Sequence, residues 1–538
     1  MSALGSEFPL LIKTLLHTPL QRRPHVEIIS DGITSYDYRT FDQRLRQLGD
    51  ALTNFGVKQG DVVAVMDWDT HRYLECFFAI PMLGAVLHTI NVRLSPAQIA
   101  YTINHAEDDV ILVHSEFMPL LADVMPMVDR AVKIIAMTDA IEDDVPATEL
   151  AIDDHFETLL QAGDAAFAFP DFDENTRATT FYTTGTTGDP KAVAYTHRQL
   201  VLHTMATVGA FGSVEASNRL HDGDVYMPIT PMFHVHGWGF PYAATLLGIK
   251  QIYPGRYIPA RLLHLIDTHR VTFSHCVPTI LQMLLSALEA ASTKFDGWKV
   301  VIGGSALPHG LASAALDRGI NVFAAYGLSE TCPVLTFSHL DPTKEDDVAA
   351  RLKTGLPAPM VELRVVDADM RDVPRDGVST GEIVARAPWL NAAYLRNDAA
   401  TAELWRGGYL HTGDVGYLDD TGALIITDRM KDVIKSGGEW ISSLALESIA
   451  SAVAGVGEAA AIGISDEQWG ERPMLLVVLA PGVDGDSVRV GIMAAFAASV
   501  ADGTLSKWAA PQRVDFVAEI AKTSVGKIDK KRLRFEVE

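Results

Sequence analysis

Threonine and glycine are concentrated in one short stretch, YTTGTTGDPKAV, which runs from Tyr182 to Val193. It follows an apolar or β-prone run, 178–182, and it contains four threonines, two glycines, a proline and Lys191. Glycine lets a backbone bring its N–H groups close to an anion, threonine hydroxyls add donors, and lysine adds charge. This chemistry is typical of a loop that holds the phosphates of a nucleotide. The alternative is a polar surface turn, which an isolated cluster of these residue types would favour.

The stretch differs from the common phosphate loop. The pattern GxxxxGK[ST] cannot be laid over it, because its glycines are too close together and neither Ser nor Thr follows Lys191. A phosphate-binding interpretation therefore needs support from elsewhere in the chain.

The composition limits the class of protein. At 538 residues the chain is too long for one compact core, so two or more domains are expected. Its 44 basic and 68 acidic residues give a net charge of −24, which disfavours nucleic acid and anionic lipid headgroups as partners. Three scattered cysteines argue against a disulfide framework. The first residues lack a basic leader and no apolar run is long enough for a bilayer, so no membrane insertion and a cytoplasmic location are expected.

The patterns along the chain predict alternating helices and strands. Helical spacing runs from Thr40 to Gly56, and the run GDVVAVMDWD after it indicates a strand. The segment HRYLECFFAIPMLGAVLHTI predicts a helix and then a strand, and this alternation recurs around Val110, Val132 and Lys299. Repeated βα units predict an α/β fold in which helices cover parallel sheets.

Two changes of texture mark further units. Short strands with Gly, Pro and Asp turns between Leu352 and Arg386 predict a small β-rich subdomain. After Ile426 a charged, glycine-bearing segment leads into a predicted helix over 443–453 and a predicted strand over 474–480. We therefore expect a large N-terminal domain, 1–430, and a small mobile α/β C-terminal domain, 431–538.

Four further segments raise the weight of the threonine-rich stretch. They are GGSALP (303–308), YGLSET (326–331), HTGDVGYLDDTGALIITDRMKDVIKSGGEWIS (411–442) and KTSVGKIDK (522–530). Together, in this order and over nearly the whole chain, the five segments resemble the signature set of the acyl-adenylate-forming superfamily. That superfamily contains acyl-CoA synthetases, luciferases and the adenylation domains of peptide synthetases.

The resemblance implies a two-step reaction. A carboxylic acid is a poor acylating agent, but attack on the α-phosphate of ATP makes an acyl-AMP with a good leaving group, and a thiol can then take the acyl group. Both steps need alignment and charge stabilisation rather than a protein nucleophile. The implied function is an AMP-forming acyl-CoA ligase that uses ATP, Mg²⁺ and CoA.

The resemblance also implies which residues would bind the nucleotide. Ser329 would contact the α-phosphate, and Glu330 would ligate magnesium, a hard cation that prefers oxygen. The alternative for Glu330 is a carboxylate at a helix start. The residues that would hold the β- and γ-phosphates are Thr183, Thr184, Gly185, Thr186, Thr187, Gly188 and Lys191.

The remaining nucleoside contacts follow from the same motifs. Tyr326 would stack on adenine, and Asp414 with Arg429 would bind the ribose hydroxyls. Outside HTGD, Asp414 would be an ordinary turn residue. The glycine-rich and small residues that would line the adenine and acyl sites are Gly303, Gly304, Ser305 and Gly327.

Lysines of the C-terminal region have distinct implied roles. Lys527 would bridge the carboxylate and the α-phosphate during adenylation, where a cation offsets the developing negative charge. Lys431 lies in DRMKD, where the family has the hinge for rotation of its C-terminal domain. After rotation, Lys435, Gly437 and Gly438 would face the CoA tunnel. Lys527 and Lys435 could otherwise be ordinary solvated surface charges.

Several positions depart from the family pattern. Ser329 replaces a commoner threonine and keeps the hydroxyl, whereas Ala445 replaces a glutamate that helps anchor the rotated domain. The other departures replace glycine, glycine and proline by Ala192, Ala393 and Ala521. None removes an implied phosphate, magnesium or ribose contact, so the departures put the timing of domain rotation in question.

The segment PMFHVHGWG resembles the family segment that borders the acyl pocket. His234 and His236 alternate, so in an extended stretch they would share one face. A zinc site lacks a third ligand at suitable spacing, and pocket histidines are the better interpretation, with His234 orienting the carboxylate. Trp238 would shorten the cavity, although it could be a core residue. A short- to medium-chain aliphatic or thioether acid is expected, as in bacterial medium-chain and methylmercaptopropionate CoA ligases.

Two other functions stay open. One is a free-standing adenylation enzyme that loads a carrier protein, although no carrier domain is expected after Glu538, which favours CoA as the acceptor. The other is a catalytically silent binding protein of the same fold, against which intact Lys527, Glu330, Asp414 and Arg429 argue. The sequence leaves the oligomeric state open, a homodimer included.

Overall fold

The computed structural model describes residues 8–138, 149–183, 190–288, 294–344, 347–436, 439–524 and 526–537. These residues form four sheets with helices packed against them. The predicted α/β class is confirmed. No helix within the described ranges combines the length and the apolar character needed to cross a membrane.

The first sheet has seven strands, of which all neighbours are parallel except the last pair. In spatial order its strands are Asp154–His155, Lys133–Met137, Val110–His114, Val62–Met66, Val86–Thr89, Arg177–Tyr182 and Ala192–Thr196. The strand Arg177–Tyr182 leads directly into the threonine-rich stretch, and Ala192–Thr196 leads out of it.

The second sheet has nine strands and a parallel centre. In spatial order its strands are Leu356–Pro357, Val334–Phe337, Asn321–Gly327, Lys299–Ile302, Phe273–Cys276, Val225–Tyr226, Lys250–Tyr253, Glu27–Ser30 and Thr34–Asp37. The neighbouring parallel strands Lys299–Ile302 and Asn321–Gly327 end at GGSALP and YGLSET, so the parallel register brings these two motifs to the same edge.

One helix on these sheets was predicted with bounds, and the structure places it within two residues of them. The predicted helix 40–56 is Tyr38–Phe55, which starts at the N-cap Asp37 and stops at Gly56 with φ 108°. The helices of the large region are His17–Arg22, Tyr38–Phe55, His71–Met82, Pro96–Ala106, Met118–Val124, Phe156–Ala162, His197–Gly212, Phe240–Leu247, Pro259–His269, Pro278–Leu288, His309–Asp317, Val348–Leu352 and Asp398–Leu404.

The β-rich subdomain is an antiparallel sheet of four strands. Its strands are Glu362–Val366, Gly381–Arg386, Leu410–Leu418 and Leu424–Arg429. The sheet therefore extends beyond the predicted end at Arg386, because the strands that complete it come after the helix Asp398–Leu404.

The last part of the chain forms a fourth sheet with its own apolar core. Its strands are Glu439–Ile441, Ile434–Ser436, Gly470–Leu479 and Val456–Asp466, with Arg513–Phe516 parallel beside Gly470–Leu479. Its helices are Ser443–Ser451, Gly485–Ala501 and Lys530–Val537. The predicted division at residue 430 falls in the turn between Arg429 and Ile434, and it stays a prediction.

Candidate active site

A cavity lies at the edge of the nine-stranded sheet where the strands Lys299–Ile302 and Asn321–Gly327 end. The space amounts to about 400 Å³, including its opening to solvent. The residues that line it are His234, Val235, Trp238, Gly303, Gly304, Ala325, Tyr326, Gly327, Leu328, Ser329, Pro333, Val334 and Lys527. Four segments that are far apart in the sequence therefore meet around one space: PMFHVHGWG, GGSALP, YGLSET and KTSVGKIDK.

Lys527 reaches this cavity from the C-terminal region. Its side chain passes so close to Gly304 that a Cβ at that glycine would lie 3.1 Å from the lysine Cε. The pKa of Lys527 is lowered from 10.5 to about 8, chiefly because the group is removed from solvent and secondly because Arg429 is near, while Asp414 and Glu330 act in the opposite direction. The ammonium group therefore interacts electrostatically with Asp414 and Arg429, the implied ribose-binding pair, and with Glu330, the implied magnesium ligand.

Tyr326, Asp414 and Arg429 form a hydrogen-bonded set beside the cavity. The hydroxyl of Tyr326 donates to Asp414 Oδ2 at 2.7 Å, and Arg429 Nε lies 3.1 Å from Asp414 Oδ1. Asp414 and Arg429 are register partners on adjacent antiparallel strands, so the backbone fixes their pairing. The Asp414 carboxylate raises the pKa of Arg429, and burial raises that of the Tyr326 hydroxyl. This arrangement presents an oriented anionic acceptor of the kind that vicinal hydroxyls require.

Glu330 is held by a residue to which the sequence assigned no role. It lies in the short 3₁₀ turn Ser329–Thr331, and its Oε1 accepts a hydrogen bond of 2.6 Å from the Tyr394 hydroxyl. The ammonium group of Lys191 lies 5.0 Å from the centre of the Tyr394 ring. Tyr394 therefore connects the lysine of the threonine-rich stretch with the implied magnesium ligand. No local pattern could identify it, because its partners come from remote segments.

The donor set at Glu330 suits magnesium. A carboxylate is a hard anionic ligand, and the hydrogen bond from Tyr394 fixes its orientation as outer-shell contacts do in metal sites. Within the described part of the chain, no group of three histidine, cysteine or acidic side chains could hold a metal by itself. A magnesium ion here would thus take its other ligands from nucleotide phosphates and water.

The segment between His234 and Gly239 has an unusual backbone. Val235, His236, Gly237 and Trp238 have φ between 48° and 59°, which makes one left-handed turn. Such a conformation costs about 1–2 kcal/mol per non-glycine residue. Two hydrogen bonds hold the residues before it: Met232 N donates to Asp69 Oδ1 at 2.8 Å, and the Thr89 hydroxyl donates to Phe233 O at 3.0 Å.

The left-handed turn places His234 and Trp238 on the cavity. Burial lowers the pKa of His234 to about 3, with Lys527 and Arg93 adding to the effect, so its imidazole is neutral at physiological pH. The Trp238 ring packs against the sheet edge, where a Cβ at Gly303 would lie 3.0 Å from its Cη2. Gly303 thus makes room for the indole.

The expectation that His236 shares a face with His234 is wrong. The segment is a turn rather than an extended strand, and His236 is directed into the core. Its ring packs edge-on against Phe181 and Tyr195 at centroid distances of 5.0 and 5.9 Å. Burial lowers its pKa to about 3, and neither ring nitrogen has a hydrogen-bond partner among the described residues.

Other residues assigned from the sequence lie at or beyond the margins of the cavity. Thr183 directly follows the strand Arg177–Tyr182 and donates its N–H to Lys191 O at 2.9 Å. Ser305 is exposed and does not line the cavity. Lys431 lies in the turn before Ile434, and Lys435 is exposed, with its N–H bonded to Glu471 at 2.7 Å. The residues that fall outside the described ranges are Thr184, Gly185, Thr186, Thr187, Gly188, Gly437 and Gly438.

A polar cluster joins the two sides of the turn at Lys431. Asp428 accepts hydrogen bonds from the N–H and the hydroxyl of Ser443 at 2.6 and 2.7 Å. Lys530 donates to the Ser443 hydroxyl and pairs with Glu447 at 2.7 Å. Ala445, which stands where the family pattern has a glutamate, is exposed. Asp428 therefore links the strand before the turn to Ser443, and Glu447 pairs with Lys530 within the C-terminal region; neither acidic residue had a role assigned from the sequence.

The chain resembles known proteins over almost its whole length. Residues 16–395 match the family described as AMP-binding enzyme, and residues 445–527 match the AMP-binding enzyme C-terminal domain. A 3-methylmercaptopropionyl-CoA ligase of Ruegeria lacuscaerulensis is 36% identical, with 98% of this chain and 97% of that protein covered. A long-chain-fatty-acid–CoA ligase of Thermus thermophilus is 39% identical, with 92% and 89% covered.

A solved structure shows the same fold. The anthranilate CoA ligase AuaEII in complex with anthranoyl-AMP superposes with a TM-score of 0.86 at 21% identity, with 99% of this chain and 98% of that chain covered. At this level of identity the likeness establishes the arrangement of elements alone.

Proposed function

Because the chain belongs to the AMP-binding enzyme family and is a carboxylate–CoA ligase, we propose that its substrate is a short- to medium-chain aliphatic or thioether acid. In the first half-reaction a carboxylate oxygen attacks the α-phosphate of ATP, the bond to the β-phosphate oxygen breaks, and pyrophosphate leaves. In the second, the CoA thiol attacks the acyl carbonyl, loses its proton and expels AMP.

The entry of Lys527 into a cavity built by the large region is the observation that carries this proposal. The lysine is surrounded by the residues assigned to the acyl side, His234 and Trp238, and to the nucleotide side, Tyr326 and Ser329. A cation at that junction can hold the carboxylate near the α-phosphate and offset the charge that gathers between them. Lys527 is therefore proposed as the catalytic cation of adenylation.

The nucleotide would lie with its ribose at Asp414 and its phosphates towards Lys191. The hydrogen bond from Tyr326 orients the Asp414 carboxylate, and Arg429 balances its charge. Glu330, oriented by Tyr394, would hold magnesium, which supplies charge neutralisation for the phosphates when bound. The neutral His234 would direct the acid carboxylate by hydrogen bonding rather than by charge.

The size of the acid depends on Trp238. The named relatives act on acids of very different length, a thioether propionate and long-chain fatty acids. In this chain the indole fills the side of the cavity next to Gly303, which supports the shorter class.

Transfer to CoA would use another arrangement of the last hundred residues. We place the hinge at Lys431 and the thiol-side contacts at Lys435, Gly437 and Gly438. Swapping arrangements would keep the acyl-AMP covered between the two half-reactions. A cytoplasmic location and a homodimer stay predictions.

The test of the proposal is pyrophosphate release with magnesium, ATP and a panel of acids from acetate to palmitate that includes methylthiopropionate. Release that depends on the acid, with AMP and acyl-CoA formed only when CoA is added, is the expected result. Acid-dependent release with no transfer to CoA would instead indicate loading of a carrier protein. Absence of pyrophosphate release with every acid would contradict the proposed activity.

A further inference from the structure

The segment that carries Lys527 is held by residues from the first three hundred of the chain. Asn91 Nδ2 donates to Ser524 Oγ at 3.1 Å, and a guanidinium nitrogen of Arg93 donates to Ser524 O at 3.2 Å. The Thr279 hydroxyl donates to Gly526 O at 3.1 Å. Contacts therefore engage the chain on both flanks of residue 525, immediately before Lys527.

We propose that Asn91, Arg93 and Thr279 are positioning residues that seat Lys527 in the cavity, and that they serve adenylation and not transfer to CoA. The inference depends on the proposed two-step function. None of the three lines the cavity, so none would contact the reacting atoms. Their effect on the reaction would pass entirely through the position of the lysine ammonium group.

Gly526 packs closely against Thr279, one of the three positioning residues. It has φ 82°, which glycine adopts without strain, and a Cβ there would lie 3.0 Å from the Thr279 hydroxyl oxygen. The hydrogen bonds at Ser524 and at Gly526 O therefore hold Gly526 in this left-handed conformation, directly before Lys527. A lysine displaced by even about 1 Å loses much of its catalytic effect.

Burying the charged lysine side chain costs free energy, which the contacts at Ser524 and Gly526 must offset. Burial lowers the pKa of Lys527 to about 8, so its ammonium form is disfavoured in the cavity until an anionic substrate is bound. The seat supplies hydrogen bonds to the neighbouring backbone and to Ser524, and these do not depend on the lysine charge. They can therefore hold the segment in place before ATP arrives.

Arg93 also connects the seat to the acyl side of the cavity. Its guanidinium carbon lies 6.0 Å from the centre of the Phe233 ring, and Phe233 directly precedes His234. The same residue thus contacts the C-terminal segment and the segment that carries the cavity histidine. Arg93 therefore contacts both segments whose side chains face the cavity, the one that carries His234 and the one that carries Lys527.

A second close approach between the same two regions gives an independent probe. A Cβ at Gly310, in the helix His309–Asp317, would lie 2.7 Å from Ser451 O at the end of the helix Ser443–Ser451. Alanine favours a helix more than glycine does, so Gly310→Ala should not weaken its own helix. It should instead push apart the two regions that must meet to seat Lys527.

The experiment measures the two half-reactions separately. Acid-dependent ATP–pyrophosphate exchange reports adenylation, and conversion of supplied acyl-AMP and CoA to acyl-CoA reports transfer. The double variant Asn91→Ala/Arg93→Ala should lower the exchange rate about tenfold or more and leave transfer within about twofold. Gly310→Ala should give the same imbalance, with the loss in kcat rather than in the KM for ATP.

A matched control removes an arginine with similar contacts elsewhere. Arg489 donates to Val514 O and lies 4.7 Å from the Phe516 ring centre, entirely within the C-terminal region. Arg489→Ala should leave both half-reactions within about twofold of wild type. Equal losses of exchange and transfer in the double variant, or no loss of exchange, would overturn the proposed seat. A wild-type protein without exchange activity would contradict the proposed function instead.

Discussion

Tyr326 and Asp414, which are 88 positions apart in the chain, are joined by a hydrogen bond of 2.7 Å. Tyr326 is the penultimate residue of a strand of the nine-stranded sheet, whereas Asp414 belongs to the four-stranded sheet. The bond therefore connects two subdomains at the cavity. With Arg429 on its other oxygen, the Asp414 carboxylate has a fixed orientation, which a ribose-binding acceptor needs.

Asp414→Asn should weaken the use of ATP through its ribose. The amide keeps the shape of the side chain but loses the charge that accepts from two hydroxyls and balances Arg429. We expect the KM for ATP to rise about tenfold with a smaller change in kcat. Comparison of ATP with 2′-deoxy-ATP checks the cause, since the preference for ATP should shrink in the variant. An unchanged preference would remove Asp414 from the ribose site.

The rate of adenylation should fall as the pH rises through the pKa of Lys527. The group has a pKa of about 8 in the cavity instead of 10.5, because burial disfavours its charged form. Seating the lysine is thus favoured at high pH, but the seated group is then neutral and cannot offset charge. We expect kcat/KM for pyrophosphate exchange to decline about tenfold per pH unit above this pKa.

Lys527→Arg distinguishes this origin of the pH dependence from others. Arginine stays protonated throughout the range, so the variant should be slower but should lose the decline. Lys527→Ala should abolish exchange and leave transfer from supplied acyl-AMP. Persistence of the same decline in Lys527→Arg would assign it to another group.

Trp238→Ala should shift the preferred acid towards longer chains. Removal of the indole opens the side of the cavity next to Gly303, which adds apolar space without touching the nucleotide side. The measurement is kcat/KM for straight-chain acids of about two to sixteen carbons. Each methylene that the enlarged cavity buries should stabilise the bound acid by up to about 0.8 kcal/mol. A profile identical to wild type would place the indole outside the acyl site.

Gly303→Ala is the opposite change at the same contact. The added Cβ would meet the Trp238 ring at 3.0 Å and force it towards the cavity. We therefore expect the variant to use the shortest acids best and to lose activity with longer ones. Restoration of longer acids in the double variant Gly303→Ala/Trp238→Ala would show that the two residues act through their contact.

Glu330→Gln should increase the requirement for magnesium. The amide removes the anionic oxygen that the hard cation prefers, while the hydrogen bond from Tyr394 can persist. Titration of pyrophosphate exchange with magnesium should give a half-maximal concentration about tenfold higher. Tyr394→Phe, which removes only the orienting hydroxyl, should cause a smaller rise. A larger effect at Tyr394 than at Glu330 would reverse the assigned roles.

Local patterns were sufficient to predict several of the helices and strands. The helix Tyr38–Phe55 and the strand Lys299–Ile302 follow from apolar periodicity and from glycine at their ends, which neighbouring residues determine. The resemblance to the acyl-adenylate-forming superfamily also implied that Gly304, Tyr326 and Lys527 would share one site, and all three line the cavity. These predictions depend only on the residue types within short segments and on the family resemblance of the motifs.

The tertiary structure decided which side chains actually face the cavity. His234 lines it and His236 does not, because hydrogen bonds from Met232 to Asp69 and from Thr89 to Phe233 hold a left-handed turn that no local preference would select. Tyr394 and Glu447 acquired their contacts in the same way, from partners distant in sequence. Periodicity is a property of neighbouring residues, whereas these contacts depend on packing between remote ones.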